Sequence, residues 1–530
     1  MAEISRRAAL LGAGALALNS LGESALAAPA TGEGDGIAYG SPETFSFQRL
    51  KAVAQRLARR PWRATPPVAA EILQEIDYDA YFQIAFRKDH TIRPARNDGT
   101  PIQLFHLGRY QREPVSISIV EDGTAREILY RQAYFDIPDG HIAHRLPEDI
   151  GFAGFRVMDE SLDWDWLSFL GASYFRSPGS GRQYGLSARG VAIDTGLASG
   201  EEFPRFSRFF LEAVPGERDR LIVHALLEGP SLTGAYRFDC TRQGGVVMDT
   251  EAELYPRQAM QRLGMAPLTS MFWYSQKDRR HAIDWRPEIH DSDGLAIWTG
   301  SDERIWRPLN NPPTVMTNSF TDENPKGFGL LQRDRDFDHY QDDNVFYHLR
   351  PSLWVEPRGP WGRGAVQLVE IPTGDETHDN IVAYWVPEME AVPGRAIPFA
   401  YRLHWNAEEP FPSGAGRVVD TFIGAGGIPG QARPRNAHQF VVDFTGGDLA
   451  RFAADDGVVP VIDVSRGRIG RAGAYPVVGR HGLFRAAFEL HASGAEPLDL
   501  RLYLKHGERA LTETWIYQFF PDSDRLRGSG

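Results

Sequence analysis

Apolar and polar residues alternate in short runs over most of the chain, and this pattern predicts β-strands. Residues 115–120 alternate strictly, as expected of a strand with one buried face. Similar runs are found at 151–157, 186–193, 208–212, 221–227, 235–240 and 246–254. Turn-forming sequences stand at 121–123 and 139–140. Because the sequence contains no long periodic helix and no repeated βαβ pattern, we predict an all-β protein with a large antiparallel β-sandwich.

Helical periodicity is confined to the region before these strands. Apolar residues recur at helical spacing over 44–59, and a second helix is predicted near 68–73. Residues 388–397 have the composition of a linker, and further short strands follow it. Their number and spacing fit a smaller sandwich of immunoglobulin-like size. We therefore predict a large β-sandwich domain over 28–390 and a small β-sandwich domain over 397–522.

The first residues have the three parts of an export signal. Arg6 and Arg7 precede the apolar run 8–18, and a small-x-small cleavage site follows at 25–27. The paired arginines are typical of the twin-arginine pathway, which exports folded proteins. The apolar run is short for a membrane span. We therefore expect a signal peptide over residues 1–27 and a mature protein in the bacterial periplasm.

Charge and cysteine content exclude several classes of function. The net charge of −13 argues against nucleic acid or anionic lipid as the main partner, because phosphate binding requires clustered Lys and Arg. It fits a soluble protein with a neutral ligand. Cys240 is the only cysteine, so no disulfide can form within the chain. The many aromatic residues suit either core packing or platforms for sugar stacking, and composition leaves both uses open.

Common catalytic and cofactor motifs are absent from the sequence. Pro429 stands where a dinucleotide-binding motif needs its third Gly, and 171–175 lacks the closing Gly of a nucleophile elbow. The Asp-rich stretch 334–343 has His339 where an EF-hand needs Gly. The histidines do not have zinc-motif spacing. We therefore expect no metal and no other cofactor. The stretch 334–343 is either a solvated charged loop or a loop that closes over a polar ligand.

Two acidic stretches remain as candidates for chemistry. Asp291 lies in 284–295 and Asp379 in 374–385, each beside Trp and an apolar run. Glycoside hydrolysis needs one carboxylic acid to protonate the leaving oxygen and a second carboxylate to activate water. The apolar strand after Asp379 suits the acid, and the polar turn around Asp291 suits the ionised base. Because Asp is also common in turns for local hydrogen bonding, spacing alone leaves the structural interpretation open.

Longer strings in the same region resemble one protein family. The strings at 284–295, 327–340, 350–357 and 361–372 are similar to those of the bacterial periplasmic glucan biosynthesis proteins G and D. The resemblance covers nearly all of the mature chain, and the twin-arginine signal is closer to the D branch. It implies an N-terminal sandwich of the galactose-mutarotase type and a C-terminal immunoglobulin-like domain. It also implies a role in making osmoregulated periplasmic glucans, whose backbone is β-1,2-linked glucose.

The resemblance further implies catalytic roles. In family members that cut β-1,2-glucan with inversion, the residue matching Asp379 is the general acid. The residue matching Asp291 is the base, which acts through water. If a sugar hydroxyl replaced that water, the same pair would cyclise the glucan through an α-1,6 linkage. The sequence does not distinguish hydrolysis from cyclisation, and a non-catalytic glucan-binding role is the third alternative.

Other residues are expected to complete a sugar cleft. The candidates for sugar binding are Tyr347, Trp354, Trp361, Trp385, Arg286 and Asp293, and the candidates for a lid are Arg333, Asp334 and Asp338. Rings of this kind stack well on pyranose faces, although core packing is an equal alternative for each. Trp285 and Arg286 are expected to brace the turn of Asp291. The expected partners are β-1,2-glucan and the glucan synthesis machinery of the inner membrane, and the sequence leaves a homodimer open.

Overall fold

A computed structural model describes residues 36–64, 68–94 and 99–521 of the protein. The predicted signal peptide, residues 1–27, lies outside the described residues. Strands dominate the described part of the chain, and the predicted all-β class is confirmed. Among the described residues, no helix has the length and apolar character needed to cross a membrane.

The regular elements are short and numerous. The α-helices are Phe47–Ala58 (α1), Ala70–Glu75 (α2), Tyr78–Phe82 (α3) and Phe337–Tyr340 (α4). The 3₁₀ turns are Lys88–His90, Gln132–Tyr134, Ile142–Arg145, Gly179–Gly181, Gln276–His281, Tyr347–Leu349 and Leu449–Arg451. The strands are Glu43–Thr44 (β1), Ala85–Phe86 (β2), Ile102–Phe105 (β3), Ser116–Glu121 (β4), Thr124–Glu127 (β5), Phe135–Asp136 (β6), Gly154–Met158 (β7), Asp165–Leu170 (β8), Tyr174–Arg176 (β9), Ser187–Arg189 (β10), Val191–Ile193 (β11), Arg205–Ala213 (β12), Arg220–Glu228 (β13), Leu232–Arg242 (β14), Val246–Pro256 (β15), Leu263–Ser270 (β16), Phe272–Tyr274 (β17), Ile289–His290 (β18), Gly294–Trp298 (β19), Arg304–Pro308 (β20), Met316–Glu323 (β21), Gly327–Leu331 (β22), Ser352–Pro357 (β23), Arg363–Glu370 (β24), Ile381–Pro387 (β25), Ile397–Asn406 (β26), Arg417–Ala425 (β27), Ala437–Thr445 (β28), Val458–Val464 (β29), Arg468–Pro476 (β30), Leu483–His491 (β31), Leu498–His506 (β32), Arg509–Ala510 (β33) and Thr514–Phe519 (β34).

The first helix forms in the region that the apolar periodicity predicts. Ser46 caps its N-terminus, where the Ser46 hydroxyl accepts the N–H of Arg49 at 3.2 Å. Leu50 and Ala54 are buried against the outer face of the large sheet, and the hydroxyl of Thr233 on β14 donates to the carbonyl oxygen of Ala54 at 2.7 Å. The helix therefore covers one face of the sheet at β13 to β15.

Two sheets pack face to face to form the large sandwich. The first has the order β1-β5-β4-β12-β13-β14-β15-β26-β23-β22-β19-β20-β34-β32-β29, with β33 beside β32. The second has the order β21-β24-β25-β16-β10-β9-β8-β7-β3, with β11 beside β16. Phe169 and Phe175 of the second sheet contact Phe238 of the first, with ring centroids 5.2 and 5.0 Å apart. These contacts form the core between the sheets, as a sandwich requires.

Side-chain alternation gives the second sheet a polar outer face. Phe175 on β9 points into the core, so Tyr174 beside it points to the opposite face. Ala188 on β10 is paired with Phe175, so its neighbours Ser187 and Arg189 also lie on the outer face. The polar side chains of two adjacent strands therefore gather on the side of the sheet that faces away from the core.

A smaller sandwich follows Asn406. The sheet β27-β28-β31-β30 packs against β29, β32 and β34, and its core includes Phe440 and Trp515, 6.3 Å apart. Strand β34 also runs parallel to β20, with Thr514 opposite Ile305, and this pairing joins the small domain to the edge of the large sheet.

The predicted start of the small domain at residue 397 is wrong. Strand β26 lies between β15 and β23, with Phe399 paired with Ala252 of β15. Ile397, Phe399 and Leu403 pack in the core of the large sandwich. The linker-like composition of 388–397 therefore marks a loop within the large domain, and the change of domain comes after Asn406.

Candidate functional site

The segment 269–272, where β16 ends and β17 begins, fixes the turn that carries Asp291. The carbonyl oxygen of Met271 accepts the N–H of Asp291 at 2.8 Å. The hydroxyl groups of Ser270 and Ser292 are 2.6 Å apart. All four residues in these two contacts are buried, so the turn is held rigidly against the end of the strand.

The same segment also holds Asp379. The side chain of Asn380 accepts the N–H of Phe272 at 2.8 Å and donates to the carbonyl oxygen of Phe272 at 2.9 Å. The hydroxyl of Thr269 is 3.5 Å from Oδ2 of Asp379. Although Asp291 and Asp379 are distant in sequence, the fold attaches the segments that carry them to one stretch of four residues.

Asp379 is half-buried and belongs to the polar outer face of the second sheet. The hydroxyl of Tyr174 donates to Oδ2 of Asp379 at 3.1 Å, and the hydroxyl of Ser187 donates to the Tyr174 oxygen. Burial, together with the charge of Asp379, raises the pKa of the Tyr174 phenol above its usual value. Tyr174 therefore stays protonated and remains a hydrogen-bond donor to Asp379.

Asp291 has a different environment. Its side chain is 1% exposed and forms an ion pair with Arg350, which is equally buried. The Arg350 guanidinium also lies 4.1 Å from the ring centre of Tyr347. A side chain at Gly185 would come within 3.0 Å of Arg350, so the absence of one there leaves room for this arginine. Asp291 is thus a buried charge with a buried partner, as such a charge requires.

A second network of charges surrounds Arg286. Its Nη1 atom donates to Asp342 at 2.7 Å and to Glu376 at 3.0 Å, and its Nε and Nη2 atoms each donate to Asp284 at 3.0 Å. Tyr347 donates its hydroxyl to the same Glu376 carboxylate. Burial alone would lower the pKa of Arg286, but these hydrogen bonds raise it above its usual value. Arg286 therefore stays charged and holds three acidic segments together.

These contacts connect the two aspartates. Asp291 pairs with Arg350, Arg350 lies over the ring of Tyr347, and Tyr347 bonds to Glu376. Glu376 stands in the same loop as Asp379. No sequence pattern predicted a role for Arg350 or Glu376. Arg350 is the first residue of the family string 350–357, and Glu376 lies in the acidic stretch 374–385. These positions were the features of the sequence that could have indicated a role.

Three of the four aromatic residues predicted to bind sugar have no exposed ring. Trp354 and Trp385 are 1% and 0% exposed and belong to the cores, and Tyr347 is 0% exposed. The prediction that these rings stack on sugar is wrong, because a ring enclosed by protein has no free face. Trp361 is half-buried and its ring centre is 6.1 Å from that of Trp385. Strand β25 starts at Ile381, two residues after Asp379. Trp385 lies four residues further along the strand, about 13 Å from its start.

Trp285 is the exposed aromatic residue beside the charge network. Its side chain is 71% exposed, so the expectation that it braces the turn of Asp291 is wrong. The backbone around it is nevertheless fixed. The N–H of Arg286 donates to Asp284 at 3.0 Å, and the hydroxyl of Tyr274 donates to the carbonyl oxygen of Arg286 at 2.9 Å. A rigid backbone therefore presents an open indole face to solvent.

Asp293 lies on the side of its turn that faces the small domain. Its Oδ2 atom accepts the N–H groups of Arg333 and Asp334, both at 2.9 Å. Burial raises the pKa of Asp293 to about 6. Together with Glu288 and Asp334, Asp293 lines a small cavity between the domains. Its predicted role in sugar binding stays a prediction.

The three predicted lid residues have different environments. Arg333 is buried; it bonds to Glu513 at 2.6 Å and lies 3.8 Å from the ring centre of Trp306. These fixed contacts contradict a lid role for Arg333. The side chain of Asp334 is only 13% exposed. Asp338 is exposed on α4, and its lid role stays a prediction.

Comparison with known proteins finds relatives over nearly the whole chain. Residues 45–519 match the family described as Periplasmic glucan biosynthesis protein, MdoG. Glucans biosynthesis protein D 2 of Ralstonia nicotianae is 48% identical over 499 residues, which cover 92% of each chain. Glucans biosynthesis protein D of Stenotrophomonas maltophilia is 48% identical over 490 residues, 91% of each chain. The protein of the same name from Xanthomonas campestris pv. campestris is 48% identical over 513 residues, 96% of each chain.

Proposed function

Because the chain belongs to the family of periplasmic glucan biosynthesis proteins, MdoG, we propose that it cleaves β-1,2-glucan as an inverting endo-glycoside hydrolase. The family membership itself assigns the protein to periplasmic glucan biosynthesis and to the periplasm. The similar proteins named D agree with the resemblance to the D branch. The enzymatic step, the glucan as a direct partner and the twin-arginine export route belong to the proposal.

The observation that carries the proposal is the attachment of both aspartates to residues 269–272. Asp291 bonds to Met271 through its backbone, and Asp379 approaches Thr269 through its side chain. An inverting glycosidase requires two carboxyl groups about 6.5–9.5 Å apart, with room for a water molecule between them. Two aspartates in separate surroundings at the end of one strand support the proposal of such a site.

The two environments support separate roles. Asp379 is half-buried on the polar outer face, where it can reach the oxygen of a glycosidic bond and donate its proton to it. Asp291 is 1% exposed, so it would receive the proton of the attacking water through intervening groups. Arg350 keeps a positive charge beside Asp291, which suits a residue that acts as an ionised base.

Cyclising transglycosylation is the second candidate. The observation in its favour is the burial of Asp291, because a base shielded from bulk water can equally serve a hydroxyl of the glucan itself. Attack by that hydroxyl with inversion would convert a β-linkage into an α-linkage, such as an α-1,6 ring closure. The same two aspartates would act in both reactions, so the acceptor alone decides the product.

The test is incubation of the purified mature protein with linear β-1,2-glucan, followed by mass spectrometry and NMR of the products. Short linear products support the hydrolase, and cyclic products with an α-linkage support the transglycosylase. Asp379→Asn and Asp291→Asn should each abolish turnover. Asp343→Asn, which removes an exposed charge from the neighbouring loop, should keep it. An unchanged substrate with the native protein would leave only the non-catalytic, glucan-binding role.

A further inference from the structure

A second cluster of ligand-type side chains lies between the large and small domains. Glu288, Asp334 and His339 each offer one ligand atom, and these atoms lie within 4.8 Å of one another. Glu288 is buried, Asp334 is half-buried and His339 is exposed. We propose that these three residues bind a divalent transition-metal cation of the Zn²⁺ or Mn²⁺ type. This site is separate from the chemistry proposed for Asp379.

The donor set selects the class of cation. Two carboxylates and one imidazole form a mixed oxygen and nitrogen set, which suits Zn²⁺ and Mn²⁺. Ca²⁺ prefers oxygen ligands alone and Mg²⁺ retains much of its water, so both should bind more weakly. Ligand atoms about 2.1 Å from one ion lie at most about 4.2 Å apart. The ligand atoms lie within 4.8 Å of one another, and the side chain of His339, which is 47% exposed, can move to close any excess over that limit.

Asp293 provides an independent indication of a cation. Its Oδ1 atom is buried and has no hydrogen-bond partner among the described residues. Asp293, Glu288 and Asp334 line the same cavity, whose volume is about 20 Å³. A cavity of this size holds one ion or one water molecule. Because a buried carboxylate oxygen without a partner is costly, a cation in the cavity would compensate for the lost hydration.

The groups around the cluster are arranged to support its ligands. His290 places Nε2 3.0 Å from Glu288, and its Nδ1 atom lies 3.0 Å from Gln332. Such an outer partner orients a carboxylate ligand. Nδ1 of His339 lies 2.6 Å from Oδ2 of Asp334, so the two atoms share a proton. A bound cation would take the place of this proton.

One positive side chain also lines the cavity. Lys277 donates to Asp278 and, at 3.2 Å, to the hydroxyl of Ser275. Its ammonium group therefore has an acidic partner of its own. Other positive side chains also act on the cluster. His290 faces Glu288, and the charges of Arg333 and Arg335 act on Asp293 and Asp334, so a cation would join carboxylates that are already compensated in part.

The small domain adds a further carboxylate. Asp420 on β27 accepts a hydrogen bond from Nε2 of Gln276 at 3.4 Å, and Gln276 lines the cavity. Val418, Val419 and Thr421 of the same strand also line it. The site would therefore lie where the large domain, which supplies the three ligands, meets β27 of the small domain.

Metal content is the direct test. The full-length mature protein is stripped with a chelator and dialysed against ZnCl₂ or MnCl₂, with CaCl₂ and MgCl₂ as separate probes. Elemental analysis of the native protein should find one equivalent of Zn²⁺ or Mn²⁺ per chain, and the melting temperature should rise with bound metal. Glu288→Gln and His339→Ala should each weaken binding at least tenfold. Asp343→Asn, which removes an exposed charge from the neighbouring loop, should bind as the native protein does.

The outcome is independent of the glucan reaction because metal content is the readout. His339 is exposed, so His339→Ala is expected to fold even if the buried change Glu288→Gln does not, and circular dichroism checks both. Retention of the same Zn²⁺ and Mn²⁺ by His339→Ala and the native protein would overturn the proposal. Failure of the native protein to retain either ion would overturn it as well.

Discussion

Arg350 and Asp291 form an ion pair in which each side chain is 1% exposed. Desolvation makes such a pair expensive, and the two charges compensate each other only while both are present. The pair also holds the predicted base at a fixed place, because Arg350 lies over the ring of Tyr347. Stability and the proposed catalysis would therefore depend on the same two residues, and stability measurements can probe the pair separately.

The first prediction concerns this dependence. Arg350→Gln should lower the free energy of unfolding by about 3–5 kcal/mol, because it removes the positive charge that faces the buried carboxylate of Asp291. The double variant with Asp291→Asn should lose less than the sum of the two single losses, by more than about 1 kcal/mol. Urea unfolding measures all three variants. Arg480→Gln, at an exposed position, is the control, and strictly additive losses would contradict a coupled pair.

The second prediction concerns Tyr174. Tyr174→Phe removes the hydroxyl that donates to Asp379 at 3.1 Å. Asp379 becomes a carboxylate as it gives up its proton, and a hydrogen bond to that charged group is worth about 1.5–3 kcal/mol, so kcat on linear β-1,2-glucan should fall about 10- to 100-fold. KM should change little, because the hydroxyl orients the acid rather than binding remote sugars.

Steady-state kinetics of Tyr174→Phe measure kcat and KM separately. Tyr475→Phe, at an exposed position, is the control. A value of kcat within twofold of the native protein, or a loss confined to KM, would show that Tyr174 does not position the acid.

The pattern of apolar residues was sufficient for the class of fold. The alternation at 115–120 corresponds to β4, Ser116–Glu121, and the periodicity over 44–59 corresponds to α1, Phe47–Ala58. The domain boundary could not be predicted in this way. Residues 397–406 alternate like any strand, and only pairing with β15 and β23 shows which sheet they join. Local patterns specify a strand, whereas its neighbours depend on contacts that are distant in sequence.

The candidate site was predictable to a smaller extent. Acidic turns and the family strings drew attention to Asp291 and Asp379. They did not reveal Arg350, because nothing in the chain near Asp291 indicates where its counter-charge comes from. The sequence also did not show which tryptophan side chains are buried and which are exposed. Trp385 is buried and Trp285 is 71% exposed, although both stand in the acidic stretches.

The third prediction concerns Trp285 and rests on the proposed action on glucan. Trp285→Ala should raise KM for long linear β-1,2-glucan about five- to tenfold, because stacking of one sugar on an exposed indole is worth about 1 kcal/mol. Trp285→Phe should retain part of the affinity. The free energy of unfolding should change by less than about 0.5 kcal/mol, since the ring is 71% exposed.

A comparison of chain lengths sharpens this test. The shortest glucans that are still cleaved should lose less affinity than long ones if Trp285 binds a sugar away from the cleaved bond. Ile283→Ala changes a nearby apolar residue that is 83% exposed and serves as the control, because an aliphatic side chain has no ring to stack. An unchanged KM for all lengths in Trp285→Ala would exclude a sugar platform.

The fourth prediction concerns Glu113. This side chain is buried beside Arg205, whose Nη1 atom lies 3.1 Å from Oε2 of Glu113. Burial raises the pKa of Glu113 to about 7, from 4.5, and Arg205 offsets only part of that rise. The folded protein therefore binds a proton more readily than the unfolded chain. The resulting stabilisation is fully present below about pH 4.5 and is lost as the pH rises through about 7.

Glu113→Gln removes this titration. The amide also changes the contact with Arg205, so the informative quantity is how the difference in stability between the native protein and the variant changes with pH. The unfolding free energy of the native protein minus that of Glu113→Gln should fall by up to about 3 kcal/mol from pH 4.5 to pH 8. The native protein loses the stabilisation that comes from protonated Glu113 over this range. Urea unfolding across this range measures it. Glu148→Gln, at an exposed position, should follow the native curve, and a Glu113→Gln curve parallel to the native one would show that Glu113 does not titrate in this window.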